Sequence, residues 1–449
     1  MVKSNTKPKD SIRSSSDYLA DSKQVDKEQI AAVLWGNTME YFDSLMYVHM
    51  MVIITTLFFP PNDPLALSIL ATTGFAVNYL ARPIGAFFFG YIGDKFGRRL
   101  SLYISITMML LATGFIGVLP VYAQVGVYAS ISLLILRFFQ GISCSGEASG
   151  ALVYVMESIP YRQRFFYSAL YNATIISGGV IAALVIVFSL SFLKAENAWR
   201  YPFQIAALIG IIGLLMRYNL SETKEFKAKK KQIKETSLRK TLLQKKNIRN
   251  ILRVAGFSSF DASTFWVCYV FLADLLKTQV GLNPTKIVLH NGGVMVFQIL
   301  TGFMIAKVAL RMGERKLGLW AIYSLALLIL PIFLLVKMSN FSYAVITLAQ
   351  LITISSGNAF VIATDPLRVF LFPVIGRFMG MAVGISLGRV MGYVIGAYLL
   401  IVFNYAFGYI GGAIYLLIFT VPAWWAIRTL DFETFTFSRD DSGKAIENH

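Results

Sequence analysis

The chain has 449 residues, of which 56% are hydrophobic and only 14% charged, and its formal net charge is +17. A soluble domain carries about a quarter charged residues, so a water-soluble enzyme is excluded as the general plan. The +17 would suit a nucleic-acid binder, but its distribution points instead to a membrane topology.

Twelve apolar stretches of spanning length follow a polar start, at 31–58, 65–91, 99–120, 126–150, 165–192, 201–218, 250–276, 287–308, 316–337, 341–363, 377–401 and 405–428. A bilayer core about 30 Å thick takes roughly 20 apolar residues per helix. A transmembrane barrel would show short alternating segments rather than continuous apolar runs. The expectation is an all-α polytopic membrane protein. Residues 1–27 are polar, without the apolar core of a signal peptide, and read as a disordered cytoplasmic tail. The first six spans fall in 28–218, a basic linker in 219–249, the second six in 250–430, and a polar tail in 431–449. Two six-helix bundles facing each other across a central path is the physical sense of such a layout.

The first span carries Asn37, Glu40, Tyr41 and Asp43. Glu40 and Asp43 are three apart and share a helical face. Two acids in a hydrocarbon-length segment are expensive and point to a polar path or partner. Such acids load and unload protons as their surroundings change, and Asp43, further into the span, is the expected carrier. A structural ion pair is the plain alternative. Asn37 and Tyr41 are expected to supply hydrogen bonds nearby.

The second span ends in Asp94, Arg98 and Arg99, within GDKFGRR at 93–99. Gly93 and Gly97 permit tight turns, and the charges are expected to clamp Glu147 or Glu157 and latch one side of the protein. Arg82 is expected to join that network. In the fourth span Arg137 and Gln140 share a face, and both are candidates for ligand contact. Asn172 in the fifth span and Trp266 in the seventh are expected to line a cavity. Asp261 is expected either to line it too or to act as a first-turn acid, and His290 as a hydrogen-bonded lining residue. The eleventh span holds Arg389 amid glycines 380, 384, 388, 392 and 396, a packing stripe. A guanidinium binds carboxylates bidentately, so Arg389 either holds a substrate carboxylate or pairs with Glu40 or Asp43.

Residues 221–253 hold twelve Lys or Arg against three acids. This and the other basic loops alternate with charge-poor ones, and short basic loops stay cytoplasmic. Both termini are therefore expected inside, with the basic loops near anionic headgroups. No phosphate-loop motif, metal-site spacing or nucleophile–base pair occurs, so no cofactor and no enzyme activity are expected. Cys144 and Cys268 suggest neither zinc nor a disulfide. The proton is the expected coupling ion. Sodium stays open beside it, because its oxygen ligands leave no sequence mark. A receptor or scaffold built on the 221–253 loop is the reading from another class.

On GNTMEYFD at 36–43, GDKFGRR at 93–99, RFFQGISCSGEASGALVYVMES at 137–158, WRYPFQ at 199–204 and RYNLSET at 217–223, the chain resembles the metabolite:proton symporter family of the major facilitator superfamily. The resemblance implies twelve transmembrane helices in two six-helix bundles, a bacterial inner-membrane location, and alternating-access import of a small metabolite with a proton. It implies no nucleic-acid partner and a monomer working in the lipid bilayer. Family members carry osmolytes such as proline and betaine, or organic acids such as citrate, 2-oxoglutarate and shikimate. The resemblance makes Asp94, Arg98 and Arg99 gating residues, and matches Glu40, Asp43, Arg137 and Glu147 to charged family positions. Arg389 departs from the family pattern, and an arginine-lined cavity suits a strong carboxylate.

Overall fold

The computed structural model describes residues 26–59, 64–192, 197–235, 237–430, 437–439 and 445–447. Most of the expected N-terminal tail and residues 60–63, between the first two spans, lie outside them. The described chain is helical almost throughout. Helix α1 (Lys27–Phe58) starts at Asp26, whose carboxylate accepts from the Gln29 N–H at 3.2 Å, satisfying one of the donors a helix start leaves open. Helix α2 (Pro64–Lys95) is separated from α3 (Arg98–Ile116) by a sharp turn, with Gly97 at φ 124° in the region that disfavours a Cβ. Then come α4 (Val127–Ser158), α5 (Arg164–Phe192) and α6 (Arg200–Met216).

The basic linker is not structureless, as it contains short helices at Lys224–Glu235 and Leu238–Leu242. Helix α7 (Lys245–Trp266) runs through a π turn, Val267–Phe271, into Leu272–Thr278. Helix α8 (Pro284–Met338) is two helices meeting at Gly313, whose φ of 73° and ψ of 167° break the helical path. Helix α9 (Tyr343–Phe370) is followed by α10 (Arg377–Arg389), which passes through a second π turn, Val390–Ile395, into Gly396–Phe407, and by α11 (Gly411–Arg428).

Seven helical stretches among the described residues are long and apolar enough to cross a membrane. Two of these, Lys286–Met338 and Arg377–Arg428, are 53 and 52 residues long. At 1.5 Å per residue that is ~80 Å of helix, more than two hydrocarbon thicknesses. The exterior is apolar, with Leu289 77% and Leu327 75% exposed, as a lipid-solvated surface requires. A short pair of strands, β1 (Phe437–Arg439) and β2 (Ala445–Glu447), forms within the expected polar tail. Backbone groups can satisfy one another in an antiparallel ladder without an apolar core behind them.

Helices α1–α6 pack mainly on one another, and so do α7–α11. The two sets meet chiefly where α2 lies on α10 and α5 on α8. The glycine stripe of α10 is a packing surface. A Cβ at Gly388 would stand 2.3 Å from the Ala255 carbonyl oxygen, and one at Gly392 would stand 2.4 Å from the Ala262 Cβ. Helix α10 therefore lies backbone against backbone on α7, which positions Arg389 and Asp261 on the same central space.

Candidate functional site

A cavity of about 90 Å³ lies between the two helix sets. Tyr41 and Ser44 of α1, Asn78 and Tyr79 of α2, Arg137 of α4 and Asn172 of α5 line one side. Asp261, Phe265 and Trp266 of α7, Gln298 of α8, and Arg389 and Tyr393 of α10 line the other. Both π turns begin directly after a lining residue, Trp266 in α7 and Arg389 in α10. A π turn takes more residues per turn, so it rotates the side chains beyond it and recurs where helices carry functional groups.

Arg389 donates from its Nη2 to the Tyr41 hydroxyl at 2.7 Å, across the two helix sets. Among the described residues it has no acid within 4.0 Å, so neither Glu40 nor Asp43 is its ion-pair partner here. Aromatic rings stand beside Arg389 in the same wall, with Tyr79 meeting them from the other. Tyr393 meets Tyr79 at 4.8 Å, Phe265 at 5.8 Å and Trp266 at 6.2 Å between centroids. Asp261 lies in this wall well inside α7, sixteen residues after Lys245. It is therefore not the first-turn acid expected, because α7 begins at Lys245 rather than near residue 250.

Asp43 and Glu40 have unlike settings. Asp43 accepts from the Thr113 hydroxyl at 2.7 Å and from Gln140 Nε2 at 2.8 and 3.0 Å. Gln140 in turn accepts from Arg137 Nη1 at 2.8 Å, and the Arg137 guanidinium sits 3.7 Å over the Tyr47 ring. Gln140 thus does not line the cavity; it ties the lining Arg137 to Asp43. Glu40 is fully buried, and among the described residues neither of its oxygens meets an N–H or O–H donor, the Cys144 thiol being the polar group beside it.

At the end bearing the basic loops a group of hydrogen bonds and ion pairs, called the latch below, joins the helix sets. Asp94 accepts from the backbone N–H groups of Phe378 and Met379 at 3.1 and 2.9 Å, holding the first turn of α10. A carboxylate there meets both the open donors and the positive end of the helix dipole. Arg98 donates to Val374 O at 3.1 Å and to Glu157 at 3.2 Å, and Glu157 also accepts from Arg377 at 3.0 Å. The linker joins in. Thr223 donates to Glu157 at 2.8 Å, Glu225 pairs with Arg377, and Phe226 lies 4.9 Å from the Arg98 guanidinium carbon. Nearby Glu222, in the loop before Lys224–Glu235, has its carboxyl pushed up by burial. Nearer the cavity, Asp365 of α9 accepts from Ser168 at 2.7 Å and Asn172 at 2.8 Å of α5.

Several sequence expectations are corrected. Glu147 does not pair with the 93–99 loop. It faces α3 and α6, accepting from Ser105 at 3.0 Å and pairing with Arg217 at 2.6 Å, both partners buried. Arg99 is exposed and bonded within its own helix set, to Tyr218 O at 3.1 Å, so it is no part of the latch. Asn37 points to α5, donating to Thr174 at 2.9 Å, and does not reach the cavity. Arg82 is not in the loop network. It donates to Asn78 at 3.2 Å and stacks 4.1 Å over Tyr79, beside the cavity. His290 is hydrogen-bonded as expected, to Tyr343 at 2.8 Å and Gln350 at 2.6 Å. Reasoning from sequence missed Arg217 and the linker residues Thr223, Glu225 and Phe226. Among the described residues no cluster of three His, Cys, Asp or Glu is placed to hold a metal.

A family model described as Major Facilitator Superfamily matches residues 44–365. The chain belongs to the major facilitator superfamily. Over 344 residues it is 32% identical to a putative proline/betaine transporter of Staphylococcus aureus (strain MSSA476), covering 73% of this chain and 72% of that one. Over 325 residues it is 31% identical to a proline/betaine transporter of Salmonella typhimurium, covering 69% of this chain and 65% of that one. The match thus spans about two thirds of the relative's length. Among solved structures, the proton:xylose symporter XylE bound to 6-bromo-6-deoxy-D-glucose superposes with a TM-score of 0.76 at 16% identity, covering 90% of this chain and 94% of that one. A bacterial homologue of the iron transporter ferroportin, in an outward-facing state, gives 0.65 at 13%, covering 90% and 99%. These two similarities show the all-α polytopic fold.

Proposed function

We propose that the protein is a secondary active transporter that imports a small carboxylate-bearing metabolite together with a proton. The observation that carries this reading is the central cavity, where Arg389 donates to Tyr41 alone among the described residues and is open to a carboxylate. The aromatic wall with Asp261 suits a cationic or methylated ammonium end, since ring faces attract such cations. A zwitterion fits both, and the relatives' names make proline or betaine the leading substrates. The second reading is an organic acid, favoured by the fact that Arg137 and Arg389 both line the cavity. Asp43 and Glu40 of α1 carry the proton, and the Asp94–Arg98–Glu157–Arg377 latch closes one side while the cavity serves the other.

The proposed layout is twelve spans in two six-helix bundles, with both termini cytoplasmic in a bacterial inner membrane. The latch then lies on the cytoplasmic side. The cavity is built within one chain, so a monomer suffices.

The test is uptake of radiolabelled proline, glycine betaine, citrate and 2-oxoglutarate into proteoliposomes under an imposed inward proton gradient. Accumulation of one compound, lost in Arg389→Gln, is the expected result. Uptake that ignores the gradient removes the proton from the mechanism, and a sodium gradient then becomes the next driver to impose.

A further inference from the structure

We infer that Arg368, near the end of α9, is a second binding point for the substrate carboxylate, reached after it leaves Arg389 and kept by Asp365 while the path is closed. This rests on the transport reading above and adds to it a site between the cavity and the latch.

Arg368 is 3% exposed, and among the described residues its Nε and Nη2 have no hydrogen-bond partner. Its Nη1 stands 3.3 Å from Oδ1 of Asp365, one turn back on α9. That leaves empty the edge of the guanidinium where Nε–H and Nη2–H point the same way. A carboxylate is received on such an edge by two parallel bonds. Idle donors on a buried charged group are costly, and in a native structure they call for an explanation. Asp365 does not turn to that edge. Its Oδ2 is held across the helix sets by Ser168 at 2.7 Å and Asn172 at 2.8 Å, both of α5.

The site lies between the cavity and the basic end. Asn172 lines the cavity and bonds to Asp365. Arg368 is about 4.5 Å further along the helix axis, at 1.5 Å per residue. Phe370, two residues on, has its ring 4.9 Å from the guanidinium carbon of the latch residue Arg377. Asp261, another cavity residue, is within electrostatic reach of Arg368 and Arg389 alike. While the latch is closed, Asp365 stands beside Arg368 in place of the substrate. When the helix sets part at the basic end, Asp365 loses Ser168 and Asn172, and the empty edge of Arg368 meets the opened path. A carboxylate leaving Arg389 then finds a second guanidinium before it reaches water, so it is not left buried without a partner on the way.

Two measurements on the full-length protein test this. The first needs no substrate. Asp365→Asn combined with Arg368→Cys removes the ion pair as a unit and places a thiol on the proposed path. A trimethylammonium methanethiosulfonate added from the basic-loop face should label that thiol, and faster once Asp94→Asn opens the latch. Wild type, whose Cys144 and Cys268 are buried, is the blank. A thiol that stays unreactive with the latch open, or reacts at the same rate with it closed, overturns the inference. The second uses whichever of proline, glycine betaine, citrate and 2-oxoglutarate the wild type carries. It reads KM from each face, in right-side-out and inverted vesicles. Arg368→Gln should raise KM from the basic-loop face about tenfold or more, the loss of a charge-assisted contact, and shift it far less from the other face. Asp365→Asn should lower KM from the basic-loop face, because the internal competitor is gone. Equal shifts on both faces, or shifts of one sign in the two variants, are what a purely structural ion pair gives and overturn the inference. Vesicles of wild type that carry none of the four compounds sink the transport reading instead, and the thiol then still decides whether Arg368 lies on a path.

Discussion

Replacing Asp94 with Asn probes the latch most directly, because its bonds to α10 cross from one helix set to the other. Its carboxylate accepts from the N–H groups of Phe378 and Met379 at 3.1 and 2.9 Å. Hydrogen bonds to charged groups contribute about 1.5–3 kcal/mol each. The amide oxygen of Asn keeps one of them as a neutral bond of roughly 1 kcal/mol. The variant also gives up about 0.3–1 kcal/mol of charge–dipole attraction at the helix start. The loss, at least about 2 kcal/mol by these figures, falls on the latched state. At 1.4 kcal/mol per factor of ten, that moves the population at least about 30-fold toward separation at the basic end. Arg98 keeps its bonds to Glu157, Gly93 O and Val374 O, so the fold should persist. Spin labels at Phe96 and Leu310, both exposed at that end, would report the distance distribution by electron paramagnetic resonance. A longer-distance population in Asp94→Asn is expected. Identical distributions in wild type, Asp94→Asn and Arg377→Ala would refute the latch.

Arg389→Gln should raise the KM for a carboxylate substrate about 10- to 100-fold, the loss of a charge-assisted contact of about 1.5–3 kcal/mol, read by initial uptake rates. Arg217→Met leaves Glu147 buried without its countercharge and should cost about 3–5 kcal/mol, seen as a lower melting temperature in detergent. Adding Glu147→Met should recover most of that loss; no recovery would mean that Arg217 acts through its bonds to Val33 O and Leu102 O instead. Gly388→Ala puts a Cβ 2.3 Å from the Ala255 carbonyl oxygen and should destabilise by about 1–3 kcal/mol, whereas Gly292→Ala, with nothing within 4 Å, should be tolerated. Equal melting temperatures for these two would contradict the close α7–α10 approach.

The sequence by itself determined the class. Continuous apolar runs and alternating basic loops leave no other solvent than lipid, and three-residue spacing on a helix placed Arg137 with Gln140. It also expected Asp94, Arg98 and Glu157 to meet, and the structure pairs Arg98 with both acids. Which partner each charge takes was decided by the tertiary structure. Arg217 sits at the end of an apolar helix and looks like a topological anchor; only the packing of α6 against α1 and α3 turns it inward to Glu147. Of the two readings of Asp261 the structure takes the cavity, because α7 begins earlier than its apolar run. Asn37 was turned from the cavity to α5 by the rotation of α1, and the linker joined the latch through Thr223, Glu225 and Phe226. The unlike fates of Glu40 and Asp43 have the same origin. Spacing puts both on one side of a helix, but hydrogen-bond donors come from other helices, and α3 and α4 deliver them to Asp43 alone. Periodicity is local and is written in the chain; the pairing of buried charges depends on which helix faces which, and only the assembled bundle fixes that.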